Sequence, residues 1–185
     1  MKVYLGIDSS TAYLVLGLYS PEKGVLGVYE NRLERNTAKY IIPEIDNLLS
    51  QAKLNKASLS GITVGLGPGS YTGIKIAIAT AKGLARGLNI PLQGASTLAA
   101  IAYGQLDDNE EAIIALDARR DNVYAAVYKK EDAKIICLEP EQKIAVNEIK
   151  NTYPGYNFIK DEVPSPAYIA SLEQSKQSLF EPIYL

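Results

Sequence analysis

One pattern occurs twice in this chain and constrains its fold more than any single residue does. Tyr4-Leu5-Gly6-Ile7-Asp8, an apolar run closing on a carboxylate, returns as Ile113-Ile114-Ala115-Leu116-Asp117. At the same offset Leu14, Leu16, Leu18 and Tyr19 fall over Val123, Ala125, Val127 and Tyr128, and the Lys23-Gly24 turn falls over Asp132-Ala133. Alternating apolar residues over such lengths read as strands, and Ser20-Pro21-Glu22-Lys23-Gly24 supplies turn chemistry ahead of a third strand, Val25–Leu33. Each copy is a strand ending in aspartate, a loop, a strand, a turn and a third strand. Helical patterns separate the copies, so the chain divides into an N-terminal lobe, 1–104, and a C-terminal lobe, 105–185.

The first lobe continues with a helix over Thr37–Ala52, on which Ile41, Ile42, Ile45, Leu48, Leu49 and Ala52 share one face. Pro43 fits that helix only in its first turn or at a kink. A strand at Ile62–Leu66 leads through the glycine-rich segment Gly67–Gly73 into a second helix ending near Leu88. A short strand, Pro91–Gly94, and a third helix, Ser96 to about Gly104, complete the lobe. The second lobe thins after Pro140. It offers a short helix at Val146–Lys150, breaks at Tyr153-Pro154-Gly155 and Pro164-Ser165-Pro166, a last helix over Ala167–Gln177, and the tail Phe180–Leu185. Two meanders followed by helices resemble the ribonuclease-H-like unit of the actin and sugar-kinase superfamily. The expected fold is α/β, a duplicated ribonuclease-H-like fold with a reduced C-terminal lobe.

Composition excludes several chemistries. The 185 residues contain no histidine, which removes Ser-His-Asp and Cys-His nucleophile systems and histidine-ligated metals. A single cysteine, Cys137, rules out an intramolecular disulfide and multi-cysteine metal sites. Its setting, Lys134-Ile135-Ile136-Cys137-Leu138, predicts an inert thiol in a buried strand. Nineteen basic residues against 21 acidic ones leave a formal charge of −2, and the basic doublets Arg119-Arg120 and Lys129-Lys130 stand isolated. A basic stripe of the sort an autonomous nucleic-acid binder shows is absent from the sequence. The apolar run Val3–Ile7 is too short for a signal peptide, and no run approaches the roughly 20 residues of a membrane helix. The chain reads as soluble and cytoplasmic.

The segment Gly65–Gly73 lacks the Gly-Lys-Ser/Thr of a Walker loop. As a dinucleotide fingerprint it matches at Gly65, Gly67 and Ser70 but misses the third glycine, and no acidic residue near position 90 could hold a ribose. Two readings stay open: a turn whose backbone N–H groups bind an anion, or a structural tight turn. Asp8 and Asp117 sit at strand ends, where actin-fold ATPases keep carboxylates for magnesium and water. Ser9-Ser10-Thr11 after Asp8 resembles a phosphate loop, whereas Ala118-Arg119-Arg120 after Asp117 lacks the glycines that let backbone wrap phosphate. Asp8, Ser9 and Lys75 are thus weak candidates for cofactor contact. No cofactor and no metal are expected, and a small ATPase or kinase using Asp8 and Asp117 is the competing reading.

The second helix has an apolar face (Ile74, Ala77, Ile78, Ala81, Leu84, Ala85, Leu88), a narrow stripe of Lys75, Lys82 and Arg86, and a further face of small residues. That last face carries Gly73, Ile76, Thr80, Gly83 and Gly87. Glycine inside a helix costs about 1 kcal/mol relative to alanine, so three of them predict a close neighbour. A partner subunit fits this requirement; the first helix of the same chain is the alternative.

Gly67-Pro68-Gly69-Ser70-Tyr71-Thr72-Gly73-Ile74-Lys75 resembles the G-P-G-S-[FY]-T-G-[LIV]-[RK] signature of the TsaB (YeaZ) family. Supporting matches are Ile7-Asp8-Ser9-Ser10-Thr11, Ile42-Pro43, Gly94-Ala95-Ser96-Thr97-Leu98, Leu116-Asp117-Ala118-Arg119 with Val123-Tyr124, and Glu181-Pro182-Ile183-Tyr184-Leu185. The missing histidines separate it from the TsaD branch, whose members carry an H-x-x-x-H metal site and perform the transfer. The resemblance implies a non-catalytic subunit of the machinery that makes threonylcarbamoyladenosine beside the anticodon of tRNAs reading codons that begin with A. It implies binding and activation of TsaD, an alternative homodimer, TsaE as a third component, and contact with tRNA only through the complex. It also implies that the first two helices pair with those of the partner, which adds Ile41 and Ile45 to Gly73, Ile76, Thr80 and Gly83 as interface candidates. Asn36 stands where relatives often have histidine, and the C-terminal lobe is short for the family.

Overall fold

Two β-meanders, the first extended by two parallel strands and the second by one, form the frame of the molecule. The structure is a computed structural model and describes residues 1–33, 36–172 and 182–185. In the first lobe β1 (Tyr4–Asp8), β2 (Tyr13–Ser20) and β3 (Gly24–Arg32) are antiparallel, α1 spans Thr37–Gln51, β4 Gly61–Gly65, α2 Tyr71–Leu88, β5 Leu92–Ala95 and α3 Thr97–Gln105. The sheet order is β3-β2-β1-β4-β5, with β4 and β5 parallel to β1. The second lobe repeats this with β6 (Glu111–Asp117), β7 (Asn122–Glu131), β8 (Lys134–Ala145), α4 (Val146–Thr152), β9 (Asn157–Lys160) and α5 (Pro166–Ser171). Its order is β8-β7-β6-β9, with β9 parallel to β6. The fold is the duplicated ribonuclease-H-like architecture, one strand short in the second copy. Strand β9 is only four residues long and follows a Pro-Gly turn, too short to show a periodicity of its own.

Helices α1 and α2 bury Ile41, Ile45, Leu48, Leu49, Ile74, Ala77 and Ala81 against Leu5, Ile7, Leu14, Leu16 and Leu18. In the second lobe α4 places Ile149 on Ile113, Ala115, Val123, Ala125 and Val127. The opposite faces are covered by exchange. Helix α3, which follows the first sheet in sequence, packs Leu98, Ile101 and Ala102 on Ala112, Ile114 and Ala126 of the second. Helix α5, which follows the second sheet, lies on the first. A Cβ at Gly6 would stand 2.6 Å from the Ala170 amide nitrogen, and one at Gly17 would strike the Pro166 carbonyl. Both positions therefore need glycine so that α5 can approach.

Several expectations are corrected. Matched by the faces their helices cover, the pairs Leu5–Leu18 and Ile7–Leu16 beneath α1 correspond to Ile113–Val127 and Ala115–Ala125 beneath α4. The offset seen in sequence holds for β2 and β7, but β1 and β6 are displaced by one residue. Leu116 occupies the place of Asp8, and Asp117 lies one residue farther out. Cys137 is exposed rather than buried, because β8 is the outer strand of its sheet. Pro43 lies in the second turn of α1, on its solvent side, where water can satisfy the carbonyl that loses its N–H partner. Ile41 and Ile45 are 1% and 0% exposed and serve the chain's own core, so neither offers a surface to a partner. The last helix ends at Ser171, with Leu172 extended where helix was expected; the rest of the expected helix to Gln177, and Phe180-Glu181, lie outside the described residues.

Candidate functional site

The C-terminal ends of β1 and β6 open into one cleft of about 1000 Å³ between the lobes. Its walls are the loops after β1 and β6, the start of α2, and side chains from β7 and β8. Asp8, at the end of β1, does not line the cleft and is only 1% exposed. Its Oδ1 accepts from the Ser10 N–H at 2.7 Å and from Ser10 Oγ at 2.5 Å, and its Oδ2 accepts from Thr97 Oγ1 at 2.7 Å. Ser10 Oγ and Thr97 Oγ1 are themselves 2.7 Å apart. Burial pushes the Asp8 carboxyl above the ordinary range, against the pull of these hydrogen bonds. The group is an internal brace, with its acceptor capacity directed at neighbours in its own chain.

Asp117 is exposed, and its partners are local: the Arg119 N–H at 3.3 Å, Lys160 Nζ at 3.5 Å, and, through its own N–H, Asp161 Oδ1 at 2.7 Å. The structure does not bring Asp8 and Asp117 together as a matched pair. Ser9 donates its hydroxyl to the Gly73 carbonyl at 2.8 Å. Lys75 is exposed and sits 4.0 Å from the Tyr71 ring centroid.

The glycine-rich turn is packed onto the loop after β1. The Ser70 N–H donates to the Ser10 carbonyl at 2.6 Å, and Ser70 Oγ caps α2 by accepting from the Gly73 N–H. A Cβ at Gly73 would strike the Ser9 carbonyl. Gly73 is therefore explained within the chain, and the turn serves the structural role, which corrects its inclusion among interface residues. The end of the chain closes the same corner: the Ile183 N–H donates to the Leu66 carbonyl at 2.8 Å, and the Tyr184 ring lies 5.3 Å from that of Tyr71.

A second carboxylate at the lobe junction escaped the sequence reading. Glu141 of β8 is half-buried and accepts from Ser96 Oγ and, at 3.0 Å, from the Tyr128 hydroxyl. Burial raises its carboxyl, while burial and the nearby Glu141 raise Tyr128. Ser96 also caps α3. The motif Gly94-Ala95-Ser96-Thr97-Leu98 marked these hydroxyls; what it could not supply was a partner 45 residues away for one and 89 for the other.

Residues 19–174 match the family described as "TsaD: tRNA N6-adenosine threonylcarbamoyltransferase". Over 147 residues the chain is 30% identical to the tRNA threonylcarbamoyladenosine biosynthesis protein TsaB of Escherichia coli, covering 78% of this chain and 63% of that protein. Over 140 residues it is 32% identical to TsaB of Bacillus subtilis, covering 76% and 61%. The chain belongs to the TsaB (YeaZ) branch of the TsaD family. It spans about three fifths of the length of these two TsaB relatives. YeaZ from Pseudomonas aeruginosa has the same fold, with a TM-score of 0.83 at 23% identity over 100% of both chains.

The family's signature segment runs into α2, where the remaining interface candidates are at least partly accessible, although Ile76 also packs against the chain's own core. Ile76 and Thr80 are half-buried and Gly83 is exposed. A Cβ at Gly83 or Gly87 would meet nothing within 4 Å, so no contact among the described residues accounts for these two glycines. Ile42 of α1 is 38% exposed, unlike Ile41 and Ile45. Among the described residues no cluster of three or more His, Cys, Asp or Glu has metal-binding geometry, and no helix is long and apolar enough to cross a membrane.

Proposed function

We propose that this chain is a non-catalytic subunit of a cytoplasmic assembly that makes tRNA threonylcarbamoyladenosine, acting by binding and activating a TsaD-type transferase. The observation that carries the reading is the state of Asp8. The carboxylate that ends β1 is buried and hydrogen-bonded on both oxygens to its own chain, and its counterpart position in the second lobe holds Leu116; the carboxylates that line the cleft, Asp117 and Asp161, share Lys160. A site for in-line phosphoryl transfer needs carboxylates facing the ligand, so the ATPase or kinase reading loses its central residue. The outward small-residue face of α2, with Ile76, Thr80 and Gly83, suits close packing against another helix. One surface serves a TsaD heterodimer and, in its absence, a homodimer. TsaE joins as a third component, and tRNA is engaged in the assembled state.

The test is reconstitution. Purified TsaD, TsaE and the synthase that supplies threonylcarbamoyl-adenylate should modify tRNA over many turnovers only when this chain is present. Full multiple-turnover activity without it removes the assignment.

A further inference from the structure

The interlobe cleft carries chemistry that an activating subunit has no need of. Tyr13 and Tyr124 line it half-exposed, and Tyr71 stands at its rim 57% exposed. Two exposed cations line the same cleft: Arg119 at the tip of the loop after β6, and Lys143 on β8, 5.9 Å from the Tyr124 ring centroid. The facing acids, Asp117 and Asp161, share Lys160 at 3.5 and 3.3 Å. The local balance is therefore positive on a chain whose formal charge is −2. Beyond the rim the pattern continues outward, with Lys75 over Tyr71 and Tyr184 beside it.

We infer that this cleft and its Tyr71 rim bind unpaired RNA nucleotides directly, the rings stacking bases and Arg119 and Lys143 meeting phosphates. Successive aromatic faces interleaved with cations are how single strands are held without sequence readout. Two observations favour a strand over a single nucleotide. Rings and cations run from Tyr124 to Tyr184, past the end of the cleft. The glycine-rich turn, where a compact polyphosphate would seek backbone donors, has its Ser70 N–H taken by the Ser10 carbonyl. The inference rests on the proposed role in tRNA modification and adds to it a direct RNA contact by this subunit within the assembly.

The experiment titrates the full chain, alone and bound to TsaD, into a fluorescent anticodon stem-loop RNA, its fully paired duplex counterpart, and AMP. The stem-loop is expected to bind at least about tenfold more tightly than either. Tyr71→Ala should weaken it about tenfold, the scale of one lost stacking contact. The double variant Arg119→Gly with Lys143→Gln should flatten the slope of log affinity against log salt by about 1.4, two phosphate contacts at roughly 0.7 each. Glycine is chosen because Arg119 has φ of +64°, and circular dichroism and TsaD association verify the variants. Equal binding of the duplex, equal binding of AMP, or variants with wild-type affinity and slope would overturn the inference. If a variant fails to fold, photo-crosslinking of thiouridine-bearing stem-loop to the wild-type chain decides: adducts on Tyr13, Tyr71 or Tyr124 support the site, and adducts only elsewhere refute it. A chain dispensable in reconstitution would remove the proposed function while leaving these titrations to be read on their own.

Discussion

The Thr97 hydroxyl donates to Oδ2 of Asp8 at 2.7 Å, across 89 residues of sequence. Its neighbour Ser96 makes the same kind of bond to Glu141, from the other sheet. The N-terminus of α3 thus holds one carboxylate from each lobe, where the helix dipole favours negative charge. Since the body of α3 lies in the core of the second lobe, the Thr97–Asp8 bond links that lobe to the end of β1 in the first.

Asp8→Ala should destabilise the chain by about 1–3 kcal/mol, because Ser10 and Thr97 lose a buried acceptor. Asp8→Asn keeps an acceptor toward Ser10 and a donor toward Thr97 and should cost less. The two variants also predict a pH signature. The folded carboxyl of Asp8 binds its proton more tightly than the unfolded chain does. Its contribution to stability is therefore full below the ordinary aspartate range and is lost as pH rises through the raised folded value. Urea denaturation of wild type and Asp8→Asn from about pH 4 to neutrality should show the variant gaining on the wild type as pH rises. A difference that stays flat or runs the other way contradicts the buried-brace reading.

Thr97→Val keeps the shape of the side chain and removes the hydroxyl, leaving Oδ2 of Asp8 without its donor. A loss of about 1–3 kcal/mol is expected. Combined with Asp8→Ala the loss should be less than additive, since both changes break one bond. A double-mutant cycle by chemical denaturation measures this, and strict additivity would sink the coupling.

The glycines of α2 should separate by sign. Gly73→Ala forces a methyl into the Ser9 carbonyl and should destabilise by at least about 1–3 kcal/mol. Gly83→Ala and Gly87→Ala add a methyl in open space and should stabilise the isolated monomer by up to about 1 kcal/mol each, from helix propensity. Thermal melts of monomeric protein check this. Gly83→Leu should keep that monomer folded yet weaken both homodimer and TsaD association, read by sedimentation and pull-down.

Gly17→Ala should lift α5 from the first sheet, since the added methyl meets the Pro166 carbonyl. Hydrogen exchange over residues 166–171 should accelerate more than over β6 and β7, with an overall destabilisation of about 1–3 kcal/mol. Uniform exchange changes in both lobes would mean that α5 is not the element displaced.

What the sequence determined by itself was local. Period-2 runs located the two meanders, the one-sided pattern of Ile41, Ile45, Leu48 and Leu49 located α1, and the Gly67–Gly73 signature located the turn into α2, because side-chain periodicity and turn chemistry are properties of neighbouring residues. The tertiary structure decided everything that depends on which surface lies opposite. Ile135-Ile136-Cys137-Leu138 is apolar on both faces, so nothing in it distinguishes a central strand from the edge strand that exposes Cys137. Helix α3 is apolar enough to be buried, yet its pattern cannot say on which sheet, and it crossed to the second lobe while α5 crossed to the first. The one-residue displacement that replaces Asp8 by Leu116 follows from strand pairing beneath α1 and α4. That pairing is fixed by side chains meeting across sheets and helices, and residues far apart in the chain leave no period by which their meeting can be read.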